Sequence, residues 1–426
     1  MLAPRCGDGK KAGQTVLLGD CIVINDSTYS PKEAWPFVNY LDTGNITENR
    51  ISEIQIIFSG KEKLPSRARR KVRAGDIVYS TVRPNQRHFG LVKEIPHNFL
   101  ASTGFAVIRG KDNKANTDFI YWFLAQDHIV DHLQSIAEQN TSAYPSIKPS
   151  DIQSLELDLP PLPEQRAIAH ILGTLDDKIE LNRRMNETLE GMARALFKCW
   201  FVDFEPVRAK MEGRWGKGES LPGMPAELYG LFPDGMVDSE LGEVPAGWGV
   251  KVLGDVIELA YGKALKADNR RSGTIPVYGS NGQVGWHDEK LVAGPGIVVG
   301  RKGNPGVVTW AHGDFFPIDT TFYVVQKTTN WGLPFLFFAL NTQDLPAISA
   351  DSAVPGLNRN LAYMNRQVVP NGLLVDEFNG CAGAIFRSCH HLEEESNTLA
   401  ALRDALLPKL ISGKLQVTQR RRRQQG

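Results

Sequence analysis

The second half of this chain repeats its first half at an offset of 210 residues, and this repeat constrains the fold more than any other feature. The positions paired at this offset are Ser142 with Ser352, Pro145 with Pro355, Pro160 with Pro370, Leu189 with Leu399, and Ala195-Leu196 with Ala405-Leu406. In both halves the matching blocks end in a long helical pattern. The sequence therefore predicts an α+β fold. Two similar α/β domains, related by a pseudo-two-fold internal repeat, are separated by a pair of long antiparallel helices that form an intramolecular coiled coil.

The first long helix carries apolar residues at strict 4-3 spacing, which is typical of a coiled-coil seam. Pro163 suits its first turn because proline has no N–H to leave unpaired there. The seam positions are Ile168, Leu172, Leu175, Ile179, Asn182, Asn186, Leu189, Ala193, Leu196 and Trp200. Polar seam residues fix register, so Asn182 and Asn186 are predicted to face the partner helix. The alternative is a slight bend that turns both asparagines to solvent.

The same seam, moved by 210 residues, reappears in the distal helix in a less regular form. Its positions are Phe378, Ala382, Ile385, Cys389, Leu392, Ser396, Leu399, Arg403, Leu406 and Leu410. Arg403 interrupts the apolar pattern, Cys381 and Cys389 dilute it, and Pro408 is expected to bend or end the helix. Because a whole domain separates the two helices along the chain, we expect them to pair in antiparallel orientation.

Turn-rich segments and apolar runs divide the chain into six parts. We predict a first domain over 1–162, a central helix over 163–204, a linker rich in Gly and Pro over 205–247, a second domain over 248–374, a distal helix over 375–415, and a basic tail over 416–426. Strands are predicted at 15–18, 76–80, 104–108, 155–159, 275–278, 297–299 and 322–325. One helix is predicted from an N-cap at Asp118 to Ala137, and another over 334–340.

Composition excludes several classes of protein. The five cysteines are scattered and form no C-x-x-C pair, which argues for buried, reduced thiols and against a disulfide framework or a cysteine zinc site. No apolar run has membrane-spanning length and the first residues lack the apolar core of a signal peptide, so a cytoplasmic protein is expected. The net charge is zero, but seven basic residues face one acid between Lys61 and Arg73, which predicts a local basic surface.

Five blocks in a fixed order carry a family resemblance. They read LPPLPEQRAIA at 159–169, LDDKI at 175–179, WFVDFEPVRAK at 200–210, DSELGEVPAGW at 238–248 and LLPKLISGKL at 406–415. In these blocks the chain resembles the specificity subunits of type I restriction–modification systems, and the likeness covers nearly the whole chain. One departure lies at 375–378, where VDEF replaces the expected Pro-x-x-Glu-Gln-x-x-Ile opening of the distal helix. This departure predicts weaker binding of one modification subunit.

The resemblance implies a division of labour. Each of two target-recognition domains reads one half of a split DNA sequence, and the helices act as a ruler that sets the unread spacer. The implied partners are double-stranded DNA, two modification (methyltransferase) subunits and restriction (translocase/nuclease) subunits. S-adenosylmethionine is expected in the modification subunits, with no cofactor in this chain. The specificity subunit itself performs no chemistry.

Candidate DNA-binding residues fall in the basic cluster and in loops after strands. In the cluster, phosphate attraction is assigned to Arg67, Arg69, Arg70, Lys71 and Arg73, with a solvated basic loop as the alternative. The loop candidates are Arg83, Asn85, Gln86 and Arg87 in the first domain, and Ser280, Asn281, Gln283, Arg301, Lys302, Asn304 and Arg359 in the second. Arginine pairs with guanine N7 and O6, and Asn or Gln pairs with adenine. Segment 140–150 fits either a DNA contact or a loop that closes the domain.

A duplicated carbohydrate- or peptide-binding protein is the alternative function, favoured by the neutral charge and by Tyr261, Trp286 and Trp310 as exposed-looking aromatics. His128 and His132 have the spacing of a metalloprotease pair, but the residue after His128 is isoleucine where a catalytic glutamate is needed. The chain lacks a phosphate-binding loop, a nucleophile elbow and the tetrapeptide of adenine methyltransferases. No two Asp or Glu residues have the spacing of a catalytic carboxylate pair, so no catalytic or metal-binding residue is predicted.

Overall fold

The computed structural model describes residues 14–139, 145–327, 331–348 and 356–417, and the chain divides into two compact units. Unit 1 combines Met1–Glu180 with Ser396–Gly426, and unit 2 is Leu181–Glu395. The repeat positions Ser142, Ser352 and Pro355 and the arginine-rich end of the basic tail lie outside the described residues. None of the helices in the described ranges is long and apolar enough to cross a membrane.

Unit 1 contains two four-stranded sheets and two two-stranded pairings. Its elements are β1 (Gln14–Leu17), α1 (Leu18–Cys21), β2 (Ile22–Ile24), β3 (Phe37–Leu41), β4 (Ile46–Thr47), β5 (Arg50–Ile51), β6 (Gln55–Phe58), β7 (Ala68–Lys71), β8 (Asp76–Ser80), β9 (Phe89–Val92), β10 (Phe99–Ser102), β11 (Phe105–Gly110), α2 (Thr117–Leu124), α3 (Asp127–Gln139), α4 (Pro149–Gln153) and β12 (Glu156–Leu159). One sheet is antiparallel with strand order β2-β11-β8-β9. The other has the order β6-β3-β10-β7, and β3 and β10 in it are parallel. Strands β1 and β12 pair, as do β4 and β5.

Helix α5 (Leu162–Phe201) runs from unit 1 into the sequence of unit 2, whose own elements follow. They are α6 (Glu205–Met211), β13 (Met236–Ser239), β14 (Gly242–Pro245), β15 (Gly249–Val252), α7 (Leu253–Val256), β16 (Ile257–Tyr261), β17 (Ile275–Gly279), β18 (Gly282–His287), β19 (Gly296–Gly300), β20 (Val308–Ala311), β21 (Phe316–Pro317), β22 (Thr321–Gln326), α8 (Leu333–Thr342), α9 (Arg359–Met364), β23 (Arg366–Val369) and α10 (Gly372–Ile411). The antiparallel sheet has the order β16-β22-β19-β20, and a second sheet has the order β18-β17-β21.

The internal repeat is visible in the topology of the two units. Strand β1 pairs with β12 as β15 pairs with β23, and the order β2-β11-β8-β9 recurs as β16-β22-β19-β20. The parallel pair β3 and β10 recurs as β17 and β21. The offset between equivalent elements falls from 235 residues at β1 and β15 to 210 at α5 and α10. Unit 2 is therefore the shorter copy, and it lacks a counterpart of β7 within the described residues.

The predicted strands of both domains agree with the structure to within two residues at each end, but the predicted helix after Asp118 is wrong in two details. It is two helices, α2 and α3, separated at Ala125 and Gln126. Its N-cap is Asn116, whose side chain accepts a hydrogen bond from the backbone N–H of Phe119 at 3.0 Å. The apolar period continues across the break, and for this reason the sequence pattern does not reveal it.

Helices α5 and α10 contact each other antiparallel inside unit 2. Asn182 donates a hydrogen bond to Glu395 Oε2 at 2.7 Å, and Asn186 donates one to the carbonyl of Cys389 at 3.3 Å. Farther along, the rings of Phe197 and Phe378 lie 5.5 Å apart. Increasing residue numbers along α5 therefore meet decreasing residue numbers along α10, which makes the two helices antiparallel. The asparagines face the partner helix, as predicted, rather than solvent.

The predicted seam residues are buried or half-buried. Those buried are Ile168, Leu172, Asn182 and Leu410, and those half-buried are Leu175, Ile179, Asn186, Leu189, Leu196, Leu392, Leu399 and Leu406. Helix α10 passes through Pro408 and ends three residues later at Ile411, so it ends near this proline but not at it. Proline near a C-terminus removes a single backbone hydrogen bond of the last turn, which the helix tolerates.

Segment 205–247, predicted as a linker, is an integral part of unit 2. Trp215 and Phe232 are buried in the same core cluster as Trp200, and the Trp200 indole donates a hydrogen bond to the carbonyl of Gly223 at 2.7 Å. Helix α6 and the β13–β14 hairpin also lie here. The many Gly and Pro residues predicted a linker, although scattered aromatic side chains anchor this segment in the core.

The cysteine prediction needs a correction too, because Cys381 is exposed and Cys199 is only half-buried, while Cys21 and Cys389 are buried.

Arg403 stabilises the helix pair of unit 1 instead of weakening it. Its guanidinium contacts Asp176 Oδ1 at 2.7 Å, and Asp176 also accepts a hydrogen bond from Asn49 at 2.9 Å. Both charged side chains are less than one-quarter exposed. The polar position in the distal seam is thus matched by an acid on α5.

We expect Asp176→Ala to lower the free energy of unfolding of unit 1 by about 2 kcal/mol, because Arg403 then keeps a mostly buried charge without this partner. Adding Arg403→Ala is expected to recover part of the loss, with a coupling energy of about 1 kcal/mol in a double-mutant cycle. Hydrogen exchange of unit 1 amides, with unit 2 amides as internal reference, measures both quantities. The matched control is Lys93→Ala with Asp177→Ala, an exposed pair between the residue after β9 and the same helix α5. Equal effects in the two cycles would refute the structural role of Arg403.

Candidate nucleic-acid interface

The candidate base-reading loops occupy equivalent corners of the two domains. In unit 1, Thr81 donates its backbone N–H to the carbonyl of Gly104 and accepts from Ile147, both at 2.8 Å. In unit 2, Arg301 donates to the carbonyl of Thr320 and accepts from Leu357, both at 2.9 Å. Each corner therefore joins the loop after β8 or β19, the turn before β11 or β22, and the segment before α4 or α9. The scaffold is the same, and the side chains displayed on it differ.

In unit 1 the loop between β8 and β9 forms a 3₁₀ turn at Pro84–Gln86. Pro84 is buried and anchors the turn, while Asn85 and Gln86 are exposed. Arg83 and Arg87 flank the turn in the left-handed region, with φ of 47° and 54°. Arg83 is exposed. This geometry presents two amide side chains and one guanidinium at the surface of the corner.

Arg87 does not fit the predicted role of a base reader. Its guanidinium is paired with Glu48 at 3.1 Å and with Asp127, and it also donates to the carbonyl of Ala125. Burial alone would lower the pKa of Arg87, but the hydrogen bond and charge of Asp127 and the charge of Glu48 outweigh burial and raise that pKa. Arg87 therefore ties the loop to the start of α3 and holds the turn in place.

The basic cluster between Lys61 and Arg73 is less basic than its composition predicts. Lys71 pairs with Glu33 at 2.5 Å and Arg73 pairs with Asp26 at 3.0 Å. Arg69 and Arg70 belong to strand β7 and are half-buried, and burial lowers the pKa of Arg70. Arg67 is exposed, as are the neighbouring lysines 61 and 63. Apart from Arg73, which is exposed but paired, the exposed charge of the cluster lies in its first half, in the segment that leads to β7.

In unit 2 the turn between β17 and β18 packs against the loop after β19. A Cβ added to Gly300 would lie 2.1 Å from the carbonyl oxygen of Asn304 and 3.1 Å from that of Ser280, so only glycine permits this approach. Asn281 and Gln283 are exposed beside it, as are Lys302 and Asn304, while Ser280 is half-buried. The structure therefore brings these polar residues of two loops into one patch.

Arg301 and Arg359 converge on the ring of Tyr261. The two guanidinium carbons lie 4.9 Å and 5.0 Å from the ring centroid. Arg301 donates a hydrogen bond to the carbonyl of Asp319 at 3.0 Å, and Arg359 donates one to the carbonyl of Leu259 at 3.4 Å. The Tyr261 side chain is 52% exposed. The sequence patterns nominated the two arginines separately. They did not indicate that Tyr261 lies between Arg301, which follows β19, and Arg359, which begins α9.

The remaining aromatic and histidine candidates have simpler surroundings. Trp286 is exposed, but Trp310 is not, because it stacks on Phe386 with ring centroids 4.2 Å apart. His128 and His132 are exposed on α3, and the described residues contain no His, Cys, Asp or Glu group that could hold a metal ion. A cavity of about 560 Å³ in unit 1 is lined by Lys71, Arg73 and Arg109, and a carboxylate pairs with each of these cations.

Comparisons with known proteins give a consistent result. Residues 16–191 match the family described as the type I restriction modification DNA specificity domain. The type I restriction enzyme HindI specificity subunit of Haemophilus influenzae is 28% identical over 461 aligned positions, which cover 93% of this chain and 98% of that protein. The type I restriction enzyme MjaIX specificity subunit of Methanocaldococcus jannaschii is 23% identical over 411 positions, covering 89% and 84%.

A solved structure supports the fold. The S subunit of a type I restriction-modification system from M. genitalium matches with a TM-score of 0.59 at 17% identity, covering 98% of this chain and 100% of that one. The predicted fold class, with two similar domains and long helices, is confirmed by this match and by the repeated topology. The chain is thus similar over nearly its whole length to specificity subunits of type I restriction–modification systems, and its residues 16–191 match the model of their DNA specificity domain.

Proposed function

We propose that this chain is a non-catalytic DNA-specificity subunit in which each domain reads one half of a bipartite DNA site. The observation that carries the proposal is the repeated corner, in which the same backbone hydrogen bonds support Asn85 and Gln86 in one domain and Arg301 and Lys302 in the other. Two equal scaffolds with different side chains suit the reading of two different short sequences.

The long helices are proposed to set the spacer between the half-sites and to bind the modification subunits. Helix α5 contributes residues to both units and contacts α10 in each of them. On its exposed side, Leu181, Met185 and Met192 form an apolar row at heptad spacing. Exposed apolar rows of this kind are typical of surfaces that bind another helix.

The proposed complex contains two modification subunits, restriction subunits and double-stranded DNA. S-adenosylmethionine is assigned to the modification subunits, where methyl transfer to adenine takes place. Phosphate contacts are assigned to Arg67 in unit 1 and to Lys302 in unit 2, because both side chains are exposed. A carbohydrate-binding function is not favoured, since one of its three supporting aromatics, Trp310, is half-buried and stacks on Phe386.

We expect methylated adenines, mapped across the genome of cells that carry this system, to fall in one split motif with a spacer of constant length. Asn85→Ala with Gln86→Ala is expected to change only one half of that motif, because these side chains belong to one domain. In vitro, the complex with its modification subunits is expected to lose affinity for a duplex carrying the motif steeply as salt rises. A contiguous motif, or binding that is insensitive to salt, would contradict the proposal.

A further inference from the structure

Unit 2 holds two arginine side chains close together on one aromatic ring. Each guanidinium lies within about 5 Å of the Tyr261 centroid. Among the described residues, no carboxylate is within ion-pair distance of Arg301 or Arg359. Two cations that share one ring repel each other, and the ring offsets only part of this repulsion. Such an arrangement is stabilised when an electron-rich group binds to both cations.

Unit 1 does not repeat this arrangement. Thr81 takes the place of Arg301 in its corner, and β2, the counterpart of β16, ends at Ile24, two residues before Asp26. Asp26 contacts Arg73 at 3.0 Å and Arg109 at 3.4 Å, and Asp76 binds Arg109 through two oxygens. Arg73 and Arg109 are thus paired with acids, whereas no acid of the described residues pairs with Arg301 or Arg359.

Each arginine in unit 2 is also held in a defined orientation. One N–H of Arg301 is bound to a backbone carbonyl, and Arg301 contacts a second ring, that of Phe322, at 5.9 Å. Arg359 is fixed in the same way by the carbonyl of Leu259 and by the ring of Tyr363 at 5.8 Å. A guanidinium carries five N–H donors, so one internal hydrogen bond leaves four for a ligand.

We propose that Tyr261 is a positioning residue that orients Arg301 and Arg359 to read guanine in the half-site of the second domain. This inference rests on the proposed function and names the base chemistry of one half-site. A fixed planar fork matches guanine N7 and O6, which lie side by side in the major groove. A guanidinium fork also matches two phosphate oxygens, so a base is favoured here because both arginines lie at the corner that carries the candidate base-reading loops.

The test uses the full chain in complex with its modification subunits and a duplex that carries the mapped motif. Each base pair of the second half-site is substituted in turn, and the affinity is measured for wild type, Tyr261→Leu, Arg301→Lys and Arg359→Lys. We expect these variants to lose discrimination at guanine positions by about tenfold or more, and to keep the wild-type preference in the first half-site. Lysine keeps the charge but lacks the fork.

Two controls complete the design. Tyr261→Phe keeps the ring and is expected to behave like wild type. Lys302→Ala is expected to weaken binding equally for every duplex and to reduce the salt slope by about one. If Tyr261→Leu melts at a lower temperature than wild type, the two lysine variants carry the test, since Arg301 and Arg359 are half-buried and do not belong to the core.

The possible outcomes separate the two proposals. Unchanged base preference in the lysine variants and in Tyr261→Leu overturns the positioning role. A uniform loss of affinity for all duplexes also overturns it, because that result identifies a phosphate contact. If the wild-type complex itself recognises no split motif, the proposed function fails before the role of Tyr261 is reached.

Discussion

Duplication of one heptad in each long helix is expected to lengthen the unread spacer of the recognised site while both half-sites stay unchanged. Seven helical residues add about 10 Å, which corresponds to up to about three base pairs of duplex. The duplicated segments are 173–179 in α5 and 398–404 in α10. Both lie at the boundary between the sequences of the two units, and both preserve the seam spacing.

The change must be made in both helices because each unit contains a contact between them. The duplicated segments carry Asp176 and Arg403, so the new turns bring their own ion pair. A heptad in α5 alone would move Asn182 away from Glu395 and leave seven residues without a partner on α10. This single insertion is the control, and we expect it to reduce assembly or methylation instead of producing a longer spacer.

Adenine methylation mapped across the genome measures the result. The expected motif has the two wild-type halves and a spacer longer by a constant number of base pairs. A change in either half would show that the helices take part in reading bases. An unchanged spacer in a fully active double insertion would show that the helices do not set it.

The sequence predicted the elements best where the pattern is local. Strand β8 has the predicted bounds because Asp76–Ser80 is a buried apolar run between turns. The seam residues were found from spacing alone, since period and helix geometry are directly linked. Topology was also within reach, because the repeat required both domains to share it.

Contacts between distant residues were beyond the sequence patterns. Arg87 was nominated for DNA because it lies in a loop after a strand and arginine can pair with guanine, whereas its partners Glu48 and Asp127 lie about 40 residues away on either side. Arg403 was taken as a flaw in the seam for the same reason, since its partner lies on the other helix. Tyr261 became relevant only when the fold placed it beside two arginines. In each case a charge was assigned from composition, and tertiary contacts decided its role.

Segment 205–247 shows a different limit. Its Gly and Pro content is that of a linker, and its buried residues follow no period. Yet Trp215 and Phe232 fill the core next to the end of α5. Irregular backbone with a few large anchors is stable when those anchors are buried, and periodicity does not detect such segments.

The second large effect is expected from Phe378→Ala, which should lower the free energy of unfolding of unit 2 by about 4 kcal/mol. Phe378 is fully buried near the start of α10. The aromatic rings around it are Phe197 at 5.5 Å, Trp200 at 6.1 Å, Phe201 at 5.3 Å, Phe335 at 6.4 Å and Phe338 at 5.8 Å. Truncation removes the ring that joins α5, α8 and α10, and rigid aromatic neighbours collapse poorly into the cavity.

Hydrogen exchange followed by mass spectrometry is the suitable measurement, because it reports on each unit separately within one chain. Amides of α8 and of the first half of α10 are expected to lose protection in Phe378→Ala, while amides of the β2-β11-β8-β9 sheet keep theirs. The matched control is Leu373→Ala, five residues earlier on the same helix, whose side chain is 67% exposed. If the two variants changed protection equally, the aromatic cluster would not be the element that fixes α5 and α10 to the second domain. If Phe378→Ala destabilised the sheet of unit 1 as much as unit 2, the two units would unfold as one, and the independence on which the heptad experiment depends would be lost.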